Sequence, residues 1–120
     1  DYVYFGGYET EQGMRGCEYL MNLPSPPTAI FSISDIIAIG AMNYALSKGY
    51  RIGKDLIFMG FDNIQYSHMF VPHLSTVEQP CYAQGKLVIE KLIENMKATN
   101  PDHNLYTLPH SLVLRESTGD

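Results

Sequence analysis

Two kinds of pattern alternate along the chain. Short β-branched or aromatic runs read as strands, and longer segments whose apolar residues return every three or four positions read as helices. Tyr2–Phe5 is such a strand, ending at the turn Gly6-Gly7. Met14, Cys17, Leu20 and Met21 then predict an amphipathic helix over Thr10–Asn22, weakened by Gly13 and Gly16. The proline-rich connection Leu23–Pro27 ends it, and Thr28–Ile33 is a second strand. Ser34-Asp35 offers a capping oxygen before a helix over Ile36–Leu46, which Lys48-Gly49 closes. Leu56–Gly60 is a third strand, and an apolar connection over Gln65–Pro72 leads into a weak strand ending at Val77. Gln79-Pro80 breaks that strand. A one-sided helix over Tyr82–Met96, a polar turn over Ala98–Asn104, a last strand within Leu105–Leu114 and the tail Arg115–Asp120 complete the chain.

The order strand, helix, strand, helix, strand argues for right-handed crossovers, so the fold class is α/β, a parallel sheet with helices on both faces. Between Ile36 and Leu46 only Asn43 and the Tyr44 hydroxyl interrupt apolar character, which implies a second buried face inside a larger protein or against another chain. Ile39 and Met42 are the candidate contacts. Tyr8, Ser34 with Asp35, and Asp62 with Asn63 each follow a predicted strand, which puts a ring, a hydroxyl and two carboxylates on one rim. Each alone is an ordinary cap or turn residue. Together they point to a small-molecule site.

With 120 residues and 45% apolar content, the chain is one domain or part of a larger one. It begins at Asp1 without a methionine and enters a strand-like run at once, as a piece of a longer protein would. A net charge of -5 with no basic cluster argues against direct contact with nucleic acid, and no apolar run suits a membrane span. Cys17 and Cys81 read as two reduced, packing cysteines, compatible with a reducing cytoplasm, and His68 and His73 fit neither one helical face nor a zinc pair. No cofactor or metal is expected. A phosphate loop, a nucleophile elbow, a zinc-hydrolase pair and a dinucleotide fingerprint are all missing, so the chain does not read as an enzyme. Asp35 and Asp62 are better explained as hydrogen-bonding groups for a polyol or nucleoside than as an acid–base pair.

Four blocks in a fixed order carry a family resemblance: PTAIFSISDIIAIGA at 27–41, IGKDLIFMGFDN at 52–63, P-x-L-S-T-V-x-Q-P at 72–80 and LPHSLVLREST at 108–118. Together they resemble the effector-binding domain of the lac repressor (LacI/GalR) family of transcriptional regulators. The resemblance implies a periplasmic-binding-protein-like (type I) fold present as a fragment. Residues 1–78 would form most of the C-terminal subdomain, 79–104 a crossing segment and helix of the N-terminal subdomain, and 105–120 a return strand and tail. It implies a cytoplasmic homodimer that binds DNA through a helix-turn-helix head outside this chain. The effector would be a sugar or sugar phosphate. Its contacts would be Tyr8 by stacking and Ser34, Asp62 and Gln79 by hydrogen bonds, with Asp35 capping the helix. Dimer contacts would fall on Ile39, Met42, Met69, Phe70 and Leu74. A periplasmic sugar-binding protein of a transporter is the alternative, since it shares the fold.

Overall fold

β1 (Ala29–Phe31), β2 (Ile57–Asp62) and β3 (Ser75–Glu78) lie side by side and parallel, with Ala29 opposite Ile57, Met59 opposite Ser75 and Asp62 opposite Glu78. β4 (Ser111–Val113) follows β3 at the far edge. These elements come from a computed structural model that describes residues 1–99 and 104–119, so the expected polar turn over 98–104 lies largely outside the described residues. Two compact units emerge, one of Asp1–Glu78 with Leu112–Asp120 and one of Gln79–Ser111.

In the first unit the helices are α1 (Thr10–Met21) and α2 (Asp35–Ser47), close to the spans that periodicity predicts. α2 packs on β2 and also lies along α1. Because successive strand residues face opposite sides, Phe58 and Gly60 share the sheet face covered by α2, where the Asp35 side chain lies against Gly60. Ile57, Met59 and Phe61, on the other face, are half-buried. The core joins Cys17 and Leu20 of α1, Ile30 of β1, Ala38, Ala41, Met42 and Ala45 of α2, and Phe58 and Leu74 from the sheet side.

This arrangement explains why α2 is apolar all round. Its second face is taken by α1 within the same chain, through two glycines that allow backbone-to-backbone approach. A Cβ on Gly13 would stand 2.0 Å from the Ile37 carbonyl oxygen, and one on Gly40 would stand 2.0 Å from the Thr10 carbonyl oxygen. The glycine that weakens the α1 pattern is therefore a packing requirement. Met42 is fully buried in this core, as is Leu74, so neither is available to another subunit. Both expected interface roles are corrected on that ground. Cys17 is buried, and burial pushes its thiol up to about 12, whereas Cys81 is an exposed free thiol and not a packing residue.

Tyr2–Phe5 forms no strand. Its residues have strand-like composition, but no described neighbour supplies a ladder, and Val3 and Phe5 are exposed. In the second unit, α3 (Cys81–Lys97) buries none of its residues, and Val88, Ile89, Leu92, Ile93 and Met96 are all exposed. No helix among the described residues is long and apolar enough to cross a membrane.

The glycine contacts make a test with opposing signs. Gly13→Ala gains up to about 1 kcal/mol in helix propensity, but forcing the two backbones apart costs about 1–3 kcal/mol or more. We expect a lower denaturant midpoint for Gly13→Ala. Gly85→Ala, in α3 with open space around its Cβ, should instead leave the midpoint unchanged or raise it. A raised midpoint for Gly13→Ala would mean that α1 and α2 are not in backbone contact.

Candidate functional site

Parallel strands bring their carboxyl ends to one side of a sheet, where following loops and helix starts supply polar groups. Here that rim carries Ser34 after β1, the pair Asp62-Asn63 at the end of β2, and Glu78 at the end of β3. Ser34, in extended backbone at φ -152°, is the N-cap of α2: its Oγ accepts from the Ile37 amide at 3.4 Å. The cap expected of Asp35 thus belongs to Ser34. Its bond uses Oγ as an acceptor, so the hydroxyl proton is still a donor for a ligand.

Asp35 does something else. It is fully buried, and its carboxylate accepts from the Thr76 hydroxyl at 2.5 Å and from the Ile64 amide at 2.9 Å. Burial pushes its carboxyl above the usual range, against the opposing pull of those two hydrogen bonds and of Arg115. Space for it comes from Gly60, where a Cβ would lie 2.2 Å from the Asp35 carboxylate. Gly60 in the run Gly60-Phe61-Asp62 is therefore dictated by an acid twenty-odd positions earlier in the chain.

The backbone at the end of β2 is unusual. Asp62 has φ 109° and Asn63 φ 53°, two successive non-glycine residues in the left-handed half of conformational space. Such residues cost about 1–3 kcal/mol each and cluster at ligand-binding sites. Their surroundings hold them in place. The Asn63 amide donates to the Thr76 hydroxyl oxygen at 3.2 Å, and the Asn63 side chain donates to Glu78 at 3.1 Å. The same side chain accepts from the Arg115 guanidinium at 2.7 Å, and that guanidinium also donates to the Leu74 carbonyl at 2.5 Å and to Ser67 Oγ at 3.2 Å.

Of the sequence-predicted ligand residues, the structure brings Ser34 and Asp62 to one rim with Asp35 between the elements that carry them. Tyr8 is 75% exposed, one residue before the Glu9 N-cap of α1. It borders an apolar groove of about 450 Å³ between the 2–8 segment, β1, α1 and α2, a groove whose lining includes neither Ser34 nor Asp62. Gln79 follows β3 directly and opens the second unit. Of the expected dimer contacts, Met69 is exposed, while Ile39 and Phe70 are half-buried and packed on the core. No cluster that could hold a metal occurs among the described residues.

Sequence reasoning missed Glu78, Thr76 and Arg115. The one available signal was the P-x-L-S-T-V and L-R-E-S-T blocks, whose hydroxyls stand where a buried strand and a free tail would not need them.

Residues 2–118 match the periplasmic binding protein-like domain family. The chain belongs to that family. The similarity to lac repressor-type regulators holds as well. The ribose operon repressor of Haemophilus influenzae is 39% identical over 110 residues, 92% of this chain and 33% of the repressor. The transcriptional repressor CytR of Escherichia coli is 33% identical over 98% of this chain and 34% of its own length. A LacI-family regulator from Chloroflexus aggregans superposes with a TM-score of 0.84 at 33% identity, over 96% of this chain and 41% of that one. The chain therefore spans about a third of the curated relatives it matches.

In this member of the family, the segment expected to be a tail is built into the sheet. A short 3-10 turn at Glu116–Thr118 brings Ser117 into full burial, where its hydroxyl accepts from the Ser75 amide at 2.7 Å and donates to the Phe58 carbonyl at 2.7 Å. Glu116 accepts from the His73 amide at 2.5 Å and meets its ring nitrogen Nδ1 at 2.6 Å, which draws the Glu116 carboxyl below its ordinary range. So the last described residues fasten β2 to β3 just behind the rim. Ser117→Ala strips partners from two buried backbone groups and should cost about 1–3 kcal/mol, read from chemical denaturation. A loss within error of zero would show that the tail does not hold the sheet.

Proposed function

We propose that this chain is the effector-binding and dimerisation part of a bacterial DNA-binding transcriptional regulator. Its small ligand is a sugar, and its DNA contact lies in a helix-turn-helix head elsewhere in the protein. The observation that carries the reading is the left-handed Asp62-Asn63 pair at the carboxyl rim of the parallel sheet, held from several sides by hydrogen bonds. A rim with Asp62 and Glu78 side by side offers acceptors to hydroxyl donors and repels phosphate, so a neutral sugar is favoured over a sugar phosphate. That the relatives include a repressor of a ribose operon supports the same class.

In this reading Asp62 and Ser34 hydrogen-bond the sugar and Tyr8 stacks on its ring face. The ligand favours the arrangement in which those groups converge, and shifts the population of the regulator by its differential affinity for the two states. The regulator acts as a cytoplasmic homodimer. Its dimer face uses Ile39, Met69 and Phe70, the members of the expected set that still reach the surface.

Calorimetric titration of the full-length protein with a panel of free pentoses and hexoses, D-ribose first, should reveal a binder. Asp62→Ala should then weaken that binder at least about tenfold, as expected for loss of a hydrogen bond to a charged group. Unchanged affinity in Asp62→Ala would remove Asp62 from the site.

A further inference from the structure

A left-handed conformation at two adjacent non-glycine residues persists only when the structure around it over-determines it. The residues that do so here do not lie next to the turn in sequence. We propose that Asp35 and Thr76 are positioning residues for the rim: a buried carboxylate–hydroxyl pair that fixes the backbone of Asp62-Asn63 and so sets where Asp62 is presented to ligand. This rests on the reading of Asp62 as a ligand group.

The geometry is a closed circuit. The Thr76 hydroxyl donates its one proton to Asp35 at 2.5 Å, and its oxygen accepts from the Asn63 amide at 3.2 Å. The other oxygen of Asp35 accepts from the Ile64 amide at 2.9 Å. Two consecutive amides, directly after the left-handed residue Asp62, are thereby pinned to one carboxylate, one of them through the hydroxyl. Asp35 and Thr76 are both fully buried, so water does not compete for these bonds. Asp35 cannot drift, because it starts α2, which is locked between α1 and β2, and because its carboxylate fills the space left by Gly60. Thr76 cannot drift either, being the second residue of β3. From the opposite side, Arg115 and Glu78 grip the Asn63 side chain.

The chemistry also says why the pair is Asp and Thr. The two amides are donors only, and a hydroxyl that must accept from one of them needs another acceptor for its own proton. A carboxylate has acceptor capacity for both tasks, whereas an amide side chain in its place would present one acceptor oxygen and one donor nitrogen.

Hydrogen exchange resolved to single amides in the full-length protein tests the assignment without any ligand. Thr76→Val keeps the side-chain shape and removes the hydroxyl. The Asn63 and Ile64 amides should then exchange about tenfold faster or more. The Ser32 and Ala38 amides, bonded to the Met59 and Ser34 carbonyls, should keep their rates. Thr76→Ser retains the hydroxyl and should restore slow exchange at Asn63 and Ile64 despite the lost methyl. Asp35→Asn, with one acceptor oxygen in place of two, is the second variant if Thr76→Val does not fold, and should accelerate at least one of the same two amides. A uniform acceleration of all four amides, or none at Asn63 and Ile64, would overturn the positioning role. Failure of the ligand reading shows elsewhere, as unchanged sugar affinity in Asp62→Ala with the local exchange pattern still as expected.

Discussion

Burying a carboxylate in an apolar core is costly unless hydrogen bonds compensate it, and the strand–helix junction of this protein is built around one such group. Asp35 is fully buried at the start of α2. The partners that make this tolerable come from distant parts of the chain: the Thr76 hydroxyl, the Ile64 amide and the empty space at Gly60. Satisfying one charge thus forces the ends of β2 and β3 to meet the first turn of α2. The rim is a consequence of that meeting, since Ser34, Asp62, Asn63 and Glu78 are the residues where those three elements begin or end.

The same constraint governs the helical layer. Asp35 fixes the start of α2 against the sheet, and the glycines at 13 and 40 let α1 lie against its far side. An all-round apolar helix then needs no second subunit to explain it, because sheet and neighbouring helix consume most of its surface. Of the residues proposed to meet a partner chain, Met69 is exposed and Ile39 and Phe70 are half-buried. The dimer reading becomes more specific as a result, resting on those residues and not on the whole helix.

The order of elements was legible in the sequence because each run carries its own period, and because Lys48-Gly49 and Gln79-Pro80 mark real ends. Tyr2–Phe5 was misread since strand composition says nothing about whether a ladder partner exists. Met42 and Leu74 were misread because an apolar residue looks the same whether it faces a core or a partner. The site was half legible: residues just after strands could be named, but that Ser34 and not Asp35 caps α2 could not. Both are good caps, and only the presence of Thr76 and Ile64 beside Asp35 decides between them. The tail was opaque for a related reason. Arg115, Glu116 and Ser117 are polar, and polar residues near a terminus read as solvated until the buried backbone groups they satisfy are seen.

Arg115 connects the rim to the segment proposed for dimerisation. Its guanidinium bonds Asn63 at the rim, and also Ser67 and the Leu74 carbonyl, which bracket the segment carrying Met69 and Phe70. Five donors in a rigid plane hold three acceptors at fixed relative positions, which a flexible ammonium could not do. Any ligand that moves Asn63 must then either move that segment or break a charge-assisted bond. A turn preorganised from both sides also costs a ligand less ordering entropy on binding, so the bonds that hold Asn63 in the free protein would also lower the cost of the proposed binding at the rim.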